Sequence, residues 1–131
     1  MIFPLNVEYA QQAERDLERI TDRLLETSEA TGQRFTLALE ATLQELCRSI
    51  PEKIAQGYPP QINEDASLGL SRPTYRTRFE TAAKRARRSS VGVWYVFYWL
   101  IDGDGDRVPE TLRVLAIRHG SAPPLWNEPQ G

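Results

Sequence analysis

The side chains best equipped for chemistry in this sequence are cations. Between residues 72 and 90 seven bases, Arg72, Arg76, Arg78, Lys84, Arg85, Arg87 and Arg88, stand against the single acid Glu80. Arg113, Arg118 and the chain's one histidine, His119, follow near the end. Guanidinium forks grip phosphate oxygens and stabilise charge that develops in a transition state, while a histidine carries protons near neutral pH. A metal-free RNA-cleaving site is built from such parts. The candidates for it are Arg76, Arg78, Arg113 and His119, with His119, Arg78 and Arg113 as the catalytic groups. Without cleavage, Arg76, Arg78, Lys84, Arg85, Arg87, Arg88 and Arg118 read as a binding face for an acidic peptide or a nucleic-acid backbone. There is a plainer alternative. His119 can be a strand-end residue bonded to backbone, Arg76 and Arg78 edge charges that block aggregation, and 82–90 a solvated loop.

Other chemistries find little support. With one histidine and one cysteine, Cys47, a structural zinc site is excluded, and no metal or cofactor is expected. The run Asp102-Gly103-Asp104-Gly105-Asp106 has the alternating acids of a calcium loop. A helix-loop-helix calcium site requires glycine sixth and glutamate twelfth, where this chain has Arg107 and Arg113. It reads as a turn between strands. No glycine loop for phosphate and no Ser-His-Asp set is present. Cys47 lies in a helical pattern beside Leu43, Leu46 and Ile50, as a small apolar core residue rather than a nucleophile. Nothing asks for an oxidising compartment, no signal peptide opens the chain, and the apolar run at 91–101 is shorter than the ~20 residues a membrane span takes. A cytoplasmic protein with no membrane contact is the expectation.

These cations need elements to position them. The 131 residues suit one domain, 1–131, with a short flexible tail from about 121. Leu5-Asn6-Val7-Glu8 alternates like a short strand. Ala10, Ala13, Leu17, Ile20 and Leu24 form one helical stripe, predicting a helix from Ala10 to Ser28. Thr31-Gly32 interrupts the pattern. A second stripe runs through Phe35, Leu39, Leu43, Leu46 and Ile50, with Pro51 ending it at or just before Ile50. Two helices so closely joined pack as an antiparallel hairpin that needs a sheet to cover. Residues 51–74 form a long connection. Tyr75 to Phe79 alternates, presenting Arg76 and Arg78 on one face, and 82–90 is a loop. Val91 to Ile101 is apolar on both alternating sets, as a central strand covered on both faces must be. Thr111 to His119 is the last strand. The order is β-α-α-β-β-β, an α+β fold. Charge divides along it: residues 1–52 carry ten acids against five bases, opposite in sign to the block at 72–90.

This succession resembles the RelE/ParE superfamily of type II toxin–antitoxin toxins. The likeness rests on Glu8 to Leu17 (Ala-Glu-Arg-Asp-Leu at its end), the Phe35 helix closing on Ile50-Pro51, Trp94 to Trp99, and Leu112 to Gly120 with its His-Gly ending. The resemblance implies a RelE-like fold, a helical hairpin on a twisted, mainly antiparallel sheet. It also implies a cognate antitoxin protein whose extended segment wraps and neutralises the toxin, with an oligomer possible in that complex. Two targets go with the superfamily: DNA gyrase for ParE-type members, and mRNA on the ribosome for RelE-type endonucleases. The His-Gly ending leans to ParE. Val93-Trp94 in place of an arginine opening the central strand, and no tyrosine after the last strand, count against RelE-type cleavage, while Ser121-Ala122-Pro123-Pro124 stands where ParE-like members have a basic pair and an acid and points to a member that lost activity. A ParE-like gyrase inhibitor that arrests growth is the first expectation. An mRNA endonuclease and a family member that kept the fold but lost toxicity are the alternatives.

Overall fold

The computed structural model describes residues 3–63, 72–81, 92–103, 105 and 108–120. Its elements run β1 (Asn6–Tyr9), α1 (Gln11–Thr27), α2 (Glu29–Ala55), β2 (Tyr75–Glu80), β3 (Val93–Ile101) and β4 (Thr111–His119). The four strands form one sheet in the order β1-β4-β3-β2. β3 pairs antiparallel with both neighbours, while β1 lies parallel to the first half of β4. This is the expected α+β fold, with the aromatic run from 94 to 101 as an interior strand.

The helical hairpin turns more sharply than the sequence suggests. Only Ser28 separates α1 from α2, and its hydroxyl caps the second helix by accepting from the Thr31 amide at 3.0 Å. Gly32 therefore lies inside α2, not in a break. A Cβ there would stand 2.8 Å from Leu25 Cδ2 on the facing helix, so the missing side chain is what lets the helices close together. At the other end α2 does not stop before Pro51 but continues to Ala55. Proline has no N–H to bond the carbonyl four residues back, which is that of Cys47. The Leu5 amide takes that carbonyl instead, at 3.0 Å. The residue expected to end the helix thus fastens the start of the chain to it.

The stripes read from sequence meet the sheet. Ala13, Ile20, Phe35, Leu39, Leu43 and Ile50 pack with Phe79, Trp94, Val96, Tyr98, Leu112, Val114 and Ile117 in one buried core. Phe35 is its centre, 4.8 Å from the Trp94 ring and 5.9 Å from Phe79. The helices cover one face only. The opposite face carries a second, smaller cluster of Tyr95, Phe97, Leu115 and Ala116, which explains why both alternating sets of β3 are apolar.

One irregularity governs the rest. Tyr98 pairs with Val114 but Phe97 pairs with Ala116, so Leu115 is an extra residue, a β-bulge in β4. A regular strand places residues an even number apart on the same face. The bulge shifts that parity for everything after it.

Candidate functional site

On the uncovered face β2 presents Arg76 and Arg78. The Arg76 guanidinium carbon sits 4.7 Å above the Tyr95 ring centroid, and that of Arg72 lies 5.7 Å from the Trp99 ring. Trp99 is held by a hydrogen bond from its indole nitrogen to the Thr74 hydroxyl, 2.9 Å. Arg78 is paired with Glu80 on its own strand at 2.6 Å. Arg113, opposite Trp99 in the register, is ion-paired with Glu8 of β1. Two of the expected cations on this face are thus already matched by acids.

Arg118 is not on a binding surface. It is 6 % exposed and ion-paired with Asp16 of α1, whose side chain is fully buried. The same Asp16 carboxylate oxygen accepts the Ile117 backbone amide at 3.1 Å. The reason lies in strand length. β1 pairs only as far as Val114, and beyond that point the border of β4 has no strand beside it. Asp16 fills the place of a strand, accepting the amide and neutralising the guanidinium next to it. Arg118 is a structural ion pair rather than a contact for a partner. The Asp16 carboxylate was not singled out from sequence, because one acid in a helix rich in charges carries no mark of burial.

His119 stands on the other side of the sheet. It pairs in register with Trp94 and packs edge-on against that ring, 5.0 Å between centroids. Arg113 and His119 are six positions apart and would share a face in a regular strand; the extra residue Leu115 moves His119 to the helix side. So the candidates for RNA cleavage do not converge: Arg76, Arg78 and Arg113 occupy one face and His119 the other. His119 instead borders a groove of about 610 Å³ at the tip of the hairpin, lined also by Arg23, Leu24, Thr27, Thr31, Arg34, Thr81, Gly92 and Trp94. Lys84, Arg85, Arg87 and Arg88 lie outside the described residues, whose nearest members, Thr81 and Gly92, flank this groove.

A second groove, about 410 Å³, runs between β1 and α2, lined by Pro4, Leu5, Val7, Tyr9, Glu40, Leu43, Gln44 and Cys47. Asn6 and Ala10 send their amides to Glu110 and Val114, so the intervening Val7 and Tyr9 amides face away from β4, along the rim of this groove. Among the described residues no acceptor reaches them. Burial raises the Tyr9 hydroxyl above its ordinary pKa, with the Glu40 charge adding to the effect. The Cys47 thiol is raised by burial alone, which suits a packing role and disfavours a thiolate nucleophile. Among the described residues no cluster of histidine, cysteine or acids could hold a metal ion, and no helix is long and apolar enough to cross a membrane.

Among curated proteins and among solved structures none matches the chain. A family model does, and over nearly its whole length: residues 7–123 match the ParE toxin of the type II toxin–antitoxin system parDE. The match spans both helices and all but the first residue of the sheet described above, and the chain belongs to that family of toxins.

Proposed function

We propose that this toxin acts in the cytoplasm on DNA gyrase rather than on mRNA, and is held inactive by an antitoxin segment laid along the β1 edge. The observation that carries the choice of target is the separation of His119 from Arg76, Arg78 and Arg113 by the thickness of the sheet. General acid–base cleavage needs proton carrier and charge-stabilising groups around one phosphate, within hydrogen-bond reach. That condition favours a target reached by binding, and with it the ParE-type activity. Inducing the chain alone is expected to arrest growth and block supercoiling by gyrase while transcripts stay intact. Cut transcripts that become whole again in His119→Ala, with supercoiling unaffected, would overturn the reading in favour of an mRNA endonuclease.

The antitoxin reading draws on the unmatched amides of Val7 and Tyr9 beside an apolar groove. An extended peptide can add to such an edge, its backbone bonding the strand and an alternate side chain entering the groove. Val7→Pro removes one of the two donors without touching the bonds to β4. The variant should remain toxic but escape neutralisation when the neighbouring reading frame is co-expressed. Full rescue of growth in that variant would place the antitoxin elsewhere.

A further inference from the structure

The groove at the hairpin tip has a chemistry that neither core packing nor the reading above uses. Arg23 of α1 and Arg34 of α2 both line it, with His119 beside them. Elsewhere in the described residues most guanidiniums are matched: Arg19 and Arg118 with Asp16, Arg48 with Glu45 and Glu52, Arg78 with Glu80, Arg113 with Glu8. Among the described residues Arg23 and Arg34 have no such partner. Two like charges gathered at one concave site repel each other, and a bound anion converts that cost into attraction. Leu24 and Trp94 give the groove an apolar share of its lining, and the Thr81 hydroxyl that also lines it donates to the Gly92 carbonyl at 3.4 Å. The volume, about 610 Å³, falls in the range of small-molecule sites.

From this combination we infer that the groove binds a phosphate ester of nucleotide size. The two guanidiniums grip the phosphate oxygens, and the flat apolar part of the ligand lies against Leu24 and Trp94. Fork-shaped donors suit phosphate better than a point charge would. The site lies across the sheet from Arg76 and Arg78 and shares no lining residue with the groove at the β1 edge.

The test is calorimetric titration of the purified full chain with adenosine monophosphate, and separately with inorganic phosphate, adenosine and citrate. Saturable binding of the monophosphate at one site is expected, with phosphate alone weaker and adenosine without phosphate giving no saturation in the same range. Arg23→Ala and Arg34→Ala should each weaken the nucleotide about tenfold. Arg15→Ala, an exposed arginine on α1 outside the groove, should leave it unchanged. A short oligonucleotide is a further arm: if it alone saturates the site and mononucleotides do not, the ligand is a nucleic-acid backbone and the assignment fails. Equal binding of citrate, or affinity indifferent to both arginine changes in variants whose circular dichroism shows them folded, would also overturn it.

Discussion

At the scale of single residues, the Asp16–Arg118 pair is the feature with the largest expected energetic effect. Removing one member of a buried pair leaves the other charge without compensation, at roughly 3–5 kcal/mol. Asp16→Ala should therefore lose about that much in urea unfolding, and the Ile117 amide loses its acceptor as well. Arg19→Ala is the internal comparison. Arg19 touches the same aspartate from a side chain 68 % exposed, and solvent screening limits its loss to about 0.5 kcal/mol. The tyrosines give a pH signature. Burial raises the Tyr98 hydroxyl first of all, a hydrogen bond with Thr77 opposes this, and the neighbouring Tyr75 and Cys47 add to the rise; burial raises Tyr75 too. A hydroxyl whose folded pKa exceeds its unfolded value holds its full stabilisation below about pH 10 and loses it as pH climbs through the folded value. The tyrosine contribution is thus expected to be constant across neutral pH and to fall in strong alkali, with Tyr98→Phe flattening that part of the fall, while the buried Cys47 thiol begins to lose its share above about pH 8.5. An alkaline fall just as steep in Tyr98→Phe would contradict this.

At the scale of elements, the sequence showed the strands and helix stripes but not two of the joints. Apolar spacing of three and four found both helices, and alternation found β2 and its paired arginines. Gly32 and Pro51 misled, because each residue type usually ends a helix and here each serves packing within one. Only a tertiary neighbour, Leu25 for one and Leu5 for the other, reveals that use. Replacing Pro51 by alanine supplies an N–H that competes for the Cys47 carbonyl. Exchange of the Leu5 amide should then quicken about fivefold, by loss of one hydrogen bond, while helix content is retained. Gly32→Ala sets a gain in helix propensity against the 2.8 Å approach to Leu25. Leu25 is 47 % exposed and free to turn aside, so the net change should stay within about 1 kcal/mol. A larger loss by thermal unfolding would mean that the hairpin cannot yield. Leu115 carried no signal at all. Nothing in a leucine within an apolar run marks a bulge, and without it the faces assigned to Arg113 and His119 could not be told apart.

At the scale of the whole molecule, one sheet serves as a partition. Helices, core and the Arg23/Arg34 groove lie on one side; the arginine–aromatic face lies on the other. Arg76, Arg78, Arg113 and His119 read as one site in the sequence because their order is visible there and this division is not. Binding surfaces survive such a division better than catalytic sites do, since each side can engage a separate partner. The division also has a weak seam. Along 115–119 the outer border of the sheet is closed by one carboxylate rather than by hydrogen-bonded chain. Strip that carboxylate away and the backbone there is offered to any neighbouring molecule, which is how edge strands seed aggregation. The Asp16→Ala protein should accordingly be sticky as well as unstable, forming higher-mass species in sedimentation at concentrations where the parent stays dispersed. An acid inside a toxin would then serve to keep copies of the toxin from sticking to one another.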